Sequence, residues 1–455
     1  LASIGAAACN FSQAGLDPTP TTMNFPIAIE LFQPDPAAAD ASHLFVVNSN
    51  FDLRFNAASI QAFDLERVDE YIATGCAGLS GEDCNLDEIT FVDNAREGNQ
   101  AVVSDEVGLG SHADGLALRP RDQRRLYLPV RSSRDLTTID FDPATGTFDC
   151  GQEYRAEVSA GTARWDAEDI PRCSDARRIT RREAVANERE LDLVGDPVAV
   201  AVVPSLDVNE TDVGDFILYA MREGRVALFL DDGSQGTPEL LHIQDGFPGN
   251  LVTLAHQPGT AVAWMTAVGS NELARVGIVV DQTNPARSFL YDAGRLRLGG
   301  LDDGQDTRDI QFHPTDPDTA FVLSRRPESV IEVDLARRGL TPSDLGIDDV
   351  FAVGRGPSRL TITEIDGRTY VLASCFDAQR LFIIDVAAGA LVSVVGGFSG
   401  PFEIVVDPSN QRLYMVDFTV SVVRIVDLTP LARGDVPSLV ATLGRITPVM
   451  SLTGT

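Results

Sequence analysis

The sequence contains no lysine: all 36 basic residues are arginine, against 67 acidic ones, and the formal charge is −31. A chain this acidic repels nucleic acid and anionic membrane, because binding to either begins by neutralising phosphates. A Gly-Lys-Ser/Thr phosphate loop is excluded outright. Two origins account for the missing lysine: a GC-rich genome that favours arginine codons, or adaptation to high salt, where carboxylates hold hydration and their repulsion is screened. Histidine and tryptophan are also scarce, at five and two residues. No His-Glu-x-x-His, Cys-x-x-Cys-His or Gly-x-Ser-x-Gly occurs, so nothing marks a zincin helix, a c-type haem or a hydrolase elbow. Trp165 and Trp264 are too few for a sugar-stacking groove. No run approaches the roughly 18 apolar residues of a membrane-spanning helix.

What the sequence does hold is a repeat. Its last copy, 400–444, contains four runs rich in β-branched and aromatic residues, at 401–406, 412–416, 423–426 and 439–443, each closed by Gly, Pro, Asp or Asn. This pattern predicts a four-stranded antiparallel meander. The third run ends in hydrophobic-x-hydrophobic-Asp or a close variant seven times, at Asp64, Asp140, Asp231, Asp281, Asp334, Asp385 and Asp427. The separations are 76, 91, 50, 53, 51 and 42 residues, the last four near the roughly 40–50 residues of a propeller blade. An aspartate recurring at one turn needs only a structural cause, an Asx-type cap on the backbone amides that follow.

First runs align at 27–29, 116–118, 198–200, 252–254, 310–312, 360–362 and 404–406. Second runs align at 44–48, 126–130, 216–219, 261–264, 320–323, 370–373 and 413–416. The expected fold is all-β: a seven-bladed propeller over 24–445, its blades four-stranded and antiparallel, with a tail at 446–455. Radial closure protects the strand edges. The first and last blades each supply four strands, so the ring is expected to shut without strand exchange.

The Phe45-Val46-Val47-Asn48 strand and the Arg412-Leu413-Tyr414-Met415-Val416 hairpin with Asp427 resemble the YVTN-type repeat propellers of bacterial and archaeal extracytoplasmic proteins, although no blade carries the literal tetrapeptide. The resemblance implies the fold and an exported location, and implies little about activity.

The two wide spacings locate insertions at about 66–98 and 142–187, expected between third and fourth strands and on one face of the ring. Each carries a cysteine pair in polar surroundings, which points to Cys76–Cys84 and Cys150–Cys173 as local disulfides in an oxidising compartment. Pairing between the insertions is the alternative. Cys375 reads as a buried strand residue. Residues 176–190 read as a short solvated helix. Cys9 follows an apolar stretch of small residues resembling the end of a bacterial lipoprotein signal, with 11–23 as a tether. This makes Cys9 the expected lipidation site, with an ordinary secretory remnant or a structured N-terminus as the alternatives.

Residues entering the first strands gather near the axis. Asp114, Asp196, Asn250 and Glu403 are therefore candidate oxygen ligands for Ca²⁺ or another divalent cation, and metal-dependent lactonases of propeller fold use such a centre. The competing expectation is a polar ring in which Arg308 and Arg359 neutralise Asp309 and Glu403. Loops between second and third strands bring Arg54, Arg131, Arg134, Arg222, Arg325, Arg326 and Arg380 to the same face. On so acidic a chain, such a rim points to an anionic ligand. Acidic loops at 207–215 and 302–306 are weaker calcium candidates. The function expected is a monomeric, non-catalytic, exported propeller without a required cofactor, binding an envelope protein or an anionic glycan or ligand. The alternative is a metal-dependent hydrolase or lactonase at the channel.

Overall fold

The computed structural model describes residues 18, 22–34, 40–53, 55, 57–86, 102–151, 170–182, 190–204, 214–234, 236–298, 306–339 and 341–446. Blade 1 comprises Pro26–Phe32, His43–Asn48, Ala58–Asp64 and Val103–Leu109. Blade 2 comprises Ala117–Leu118, Arg125–Val130, Asp135–Asp142 and an outer strand in two pieces, Thr147–Asp149 and Arg178–Ile179. Blade 3 holds Pro197–Pro204, Asp215–Met221, Arg225–Asp231 and Glu239–Asp245, and blade 4 holds Leu251–His256, Val262–Ala267, Glu272–Val279 and Phe289–Leu298. Blade 5 is Thr307–Phe312, Thr319–Arg325, Glu328–Arg338 and Asp344–Ala352, and blade 6 is Pro357–Ile365, Arg368–Cys375, Arg380–Asp385 and Ala390–Val395. Blade 7 is Pro401–Asp407, Arg412–Asp417, Val422–Asp427 and Ser438–Leu443. Within each blade, successive strands pair antiparallel.

Alternating side chains point to opposite faces of a strand, so each blade feeds two cores. In Asp215–Met221, Phe216, Leu218 and Ala220 pack toward blade 4, while Ile217, Tyr219 and Met221 pack toward blade 2. Among the described residues seven apolar clusters form, one at each junction between neighbouring blades. At the closing junction Ile29, Leu31 and Val46 meet Tyr414, Val416, Ile425 and Leu443. Burying each such side chain stabilises the fold by about 1.5–3 kcal/mol. The ring thus closes by packing, and blades 1 and 7 each keep their own four strands.

Six of the seven repeated aspartates cap the following turn. The amide of Arg67 donates to Asp64 at 3.3 Å, Gly233 to Asp231 at 2.9 Å, Thr283 to Asp281 at 2.9 Å, Ala336 to Asp334 at 2.9 Å, Ala388 to Asp385 at 2.9 Å and Thr429 to Asp427 at 2.9 Å. Asp140 departs from the expectation. Its strand runs two residues further, so Asp142 takes the cap from Ala144 at 3.0 Å, and Asp140 instead accepts from Arg125 at 2.6 Å and Arg177 at 2.8 Å.

Both local disulfides form, with Cα separations of 5.3 Å for Cys76–Cys84 and 4.7 Å for Cys150–Cys173, and Cys375 is buried and free. The first insertion lies between third and outer strands as expected. It opens with a helix, Leu65–Thr74, that buries Leu65 and Val68 and pairs Asp69 with Arg412 of blade 7. The second insertion interrupts the outer strand of blade 2 after Thr147–Asp149 and does not precede it. Residues 176–182 hold a single turn and two short strands where a helix was expected, because Arg177 is drawn inward by Asp140.

The two insertions do the same thing on successive blades. Leu86 donates to Thr442 and Thr442 to Cys84, both at 2.9 Å, a parallel bridge alongside the outer strand of blade 7. Gly108 donates to Pro171 at 2.8 Å and Cys173 to Gly108 at 3.1 Å, extending the outer strand of blade 1. Each disulfide-bearing insertion therefore latches onto the blade before its own. Gly81 permits the first latch, since a Cβ there would collide with the Leu439 carbonyl.

Candidate functional site

One backbone hydrogen bond recurs in all seven blades where the channel opens. The amide at the end of the second strand donates to the carbonyl ahead of the inner strand. The pairs are Ser49 to Phe25 (3.0 Å), Arg131 to His112 (3.0 Å), Arg222 to Asp196 (2.7 Å), Val268 to Asn250 (2.9 Å), Arg325 to Asp306 (2.7 Å), Phe376 to Gly356 (2.8 Å) and Phe418 to Gly400 (2.9 Å). Immediately afterwards the inner strands of blades 1, 3, 4, 5, 6 and 7 shift register. A bulge re-aims the side chain it carries. The residues so placed, Ile27, Val198, Val252, Arg308, Ser358 and Phe402, together with Asp114 in blade 2, all line one cavity of about 260 Å³ at the channel mouth.

A sevenfold backbone thus presents side chains that are not sevenfold. Phe51, Arg131, Arg222, Asn250, Val268, Arg325 and Arg359 complete most of the lining. Blades 7 and 1 contribute Phe402 and Phe51, backed by Phe25 and Phe418: the rings of Phe25 and Phe418 are 5.2 Å apart, and those of Phe51 and Phe418 are 5.7 Å apart. Blade 4, opposite them in the ring, contributes Leu251, Val252 and Val268, flanked by Arg222 of blade 3 and Arg325 of blade 5. Phe25 holds φ at 54° to begin the inner strand, an uncommon conformation for a bulky side chain.

The charged groups differ in how fully they are engaged. Arg131 bridges Asp114 at 3.1 Å and Asp196 at 2.7 Å. Burial raises the Asp114 pKa against the pull of Arg131, whereas the bond from Arg131 lowers that of Asp196. Arg308 pairs with Asp306 at 2.8 Å. Arg359 bonds Glu403 at 2.9 Å and stacks 4.7 Å from the centre of the Phe402 ring. Arg325 reaches Asp377 at 3.0 Å, with side chains 35% and 50% exposed, and Arg222 stands 3.6 Å from Asp196 with 47% of its side chain exposed. Arg222 and Arg325 are therefore the two lining arginines most open to a further partner, because exposed pairs are held weakly.

Further along the inner strands lie three carboxyl groups. Asp309 is buried and accepts from the amides of Ile310 and Leu360, both at 2.9 Å; burial pushes its pKa up to about 7. Glu30, half-buried, is likewise raised to about 7 by burial, with Glu403 adding to the effect. Glu403 is raised by burial despite its bond to Arg359.

Of the seven arginines expected in the rim, six lie among the described residues, and Arg131, Arg222 and Arg325 of these line the cavity, joined by Arg308 and Arg359. Arg134, Arg326 and Arg380 are exposed and do not line it. Of the four candidate metal ligands, Asp114 and Asn250 line the cavity. Asp114 and Asp196 are both held by Arg131, and Glu403 by Arg359. Among the described residues no group of three or more His, Cys, Asp or Glu side chains could hold a metal ion. A donor set already neutralised by guanidinium does not fit a divalent cation in this arrangement. Cys9, Arg54, 207–213 and 302–305 lie outside the described residues. The phenylalanine arc is the part of the site that sequence reasoning missed.

No protein-family model matches the chain, and no curated protein sequence matches it either. Solved structures do. The periplasmic gluconolactonase PpgL of Pseudomonas aeruginosa is similar at 13% identity and a TM-score of 0.51, over 86% of this chain and 88% of that one. A structure described as a putative 6-phosphogluconolactonase from Bacteroides uniformis has 12% identity and a TM-score of 0.48, over 80% and 82% of the two chains. The C-terminal WD40 domain of Sif2 has 10% identity and a TM-score of 0.49, over 96% and 91%. At such identities the likeness shows the propeller fold and leaves the activity open.

Proposed function

We propose that the protein is an exported, non-catalytic propeller that captures the anionic group of a ligand or envelope partner at its channel mouth. The observation that carries this reading is the cavity lining: five arginines converge there on a chain of net charge −31, and two of them, Arg222 and Arg325, are only loosely paired. Guanidinium groups recognise carboxylates through directed, charge-assisted bonds. The two disulfides support an oxidising, extracytoplasmic setting, and acylation of Cys9 would hold the protein at the envelope. Ligand-observed NMR with a panel of mono- and dicarboxylates tests the capture. At least one should bind the native protein and be lost on the Arg222→Ala/Arg325→Ala double variant; identical spectra for the two proteins would overturn the reading.

Hydrolysis at the channel is the second reading, and one observation favours it. Burial pushes the pKa of Glu30 and of Asp309 up to about 7, the range suited to proton transfer near neutral pH. A metal-dependent form would first have to displace Arg131 and Arg359 from the acids they hold. Metal analysis of the purified protein separates the cases: one tightly bound divalent ion per chain favours hydrolysis, and none favours capture.

A further inference from the structure

The mouth is two-sided, and its two sides specify more than an anion. We infer that its ligand is an aromatic carboxylate, with its acid group held between Arg222 and Arg325 and its flat apolar part laid across the channel on Phe51 and Phe402. This rests on the capture reading above and narrows it to a chemical class.

At the repeated position after the second strand, blades 3, 4 and 5 carry Arg222, Val268 and Arg325, and blades 6 and 7 carry Phe376 and Phe418. In a seven-membered ring the blades opposite blade 4 are 7 and 1, and those supply Phe402 and Phe51 to the same cavity. An acid group seated between Arg222 and Arg325 therefore faces the aromatic arc.

Three further observations point to an apolar body. Phe51 is 56% exposed, a costly placement for a ring with no polar atom to hydrate. Its ring sits edge-on to Phe418 and to His112, at 5.7 and 6.0 Å, which holds a face available for stacking. Ile27, Val198, Leu251 and Val252 add apolar surface to the cavity wall, where the neutral polar side chains are those of Asn250 and Ser358. The remaining arginines are committed to Asp114, Asp196, Asp306 and Glu403, so the site is built for one acid group.

Calorimetric titration with 2-naphthoate, gluconate and 2-naphthol tests this. We expect 2-naphthoate to bind at least about tenfold more tightly than either of the others. Arg222→Ala should weaken it by about tenfold or more, and Phe51→Ala by about threefold to tenfold; Phe51 is exposed enough that its truncation leaves the fold intact. Equal binding of gluconate and naphthoate, unchanged in Phe51→Ala but lost in Arg222→Ala, would overturn the aromatic assignment and leave anion capture standing. Equal binding of 2-naphthol and 2-naphthoate would overturn the assignment of the acid group. Binding of neither acid would overturn the aromatic assignment, and the capture reading falls with it only if the wider carboxylate panel also fails to bind.

Discussion

Replacing Glu30 with Gln should stabilise the protein at pH 8 and leave it unchanged at pH 4.5. Glu30 lies on the inner strand of blade 1, half-buried, where it accepts a hydrogen bond from its neighbour Leu31 at 3.4 Å. Burial, reinforced by Glu403, lifts its pKa from the ordinary 4.5 to about 7. An acid whose pKa is raised by folding favours the folded state while it is protonated, and loses that contribution as pH climbs from its unfolded to its folded value. At about 1.4 kcal/mol for each tenfold change in proton affinity, the loss across this window is roughly 3 kcal/mol. Glutamine keeps the acceptor for Leu31 and carries no charge, so it should recover up to roughly 3 kcal/mol above pH 7. Urea denaturation is the appropriate assay, because guanidinium would screen the charges under test. The difference between variant and native protein should be near zero at pH 4.5, grow up to about pH 7 and level off above it. A difference that is constant with pH, or a variant less stable at pH 8, would refute the argument.

Two other perturbations have outcomes set by the structure. Arg125, 2% exposed, bonds Asp140 at 2.6 Å and Asp231 at 3.0 Å, and Tyr127 donates to Asp231 at 2.6 Å. Arg125→Ala removes the guanidinium that both carboxylates share at the junction of blades 2 and 3, leaving Asp140 to Arg177 and Asp231 to Tyr127, and should cost about 3–5 kcal/mol, read as a lowered urea midpoint; a loss below about 1 kcal/mol would show that solvent reaches the network. Cys84→Ser opens an eight-residue staple beside the latch on blade 7. It should cost about 2–3 kcal/mol and speed hydrogen exchange at Leu86 and Thr442, whereas unchanged exchange at those amides would show that the latch holds without the disulfide.

The blades were legible because their signals are local. Runs such as 413–416 and the closing aspartates need only neighbouring residues to act, and six of those seven aspartates cap the turn expected of them. Asp140 misled because its strand is carried on to Asp142 by pairing with Thr147 and Phe148 of the outer strand, while its side chain is taken by Arg125, 15 residues away. The cysteine pairs could be read from spacing, yet the latches could not, since Thr442 meets Cys84 only after the ring has closed. At the mouth, charge drew attention to arginines. Of the six whose positions are described, Arg134, Arg326 and Arg380 fall outside the cavity, and each lies beyond the first residue of its hairpin loop. Aligning that first residue across blades, as Ser49, Arg131, Arg222, Val268, Arg325, Phe376 and Phe418, picks out the three rim arginines that line the cavity and one ring, Phe418, that backs Phe51, but not Phe51 or Phe402 themselves.

The most direct test of the account is a crystal structure of the protein soaked with 6-bromo-2-naphthoate, the bromine located by anomalous scattering. The account predicts the carboxylate at the channel mouth within about 3 Å of the Arg222 and Arg325 guanidinium groups, and the bromine on the side of Phe51 and Phe402. An empty mouth at saturating ligand, or a carboxylate seated away from both arginines, would contradict it.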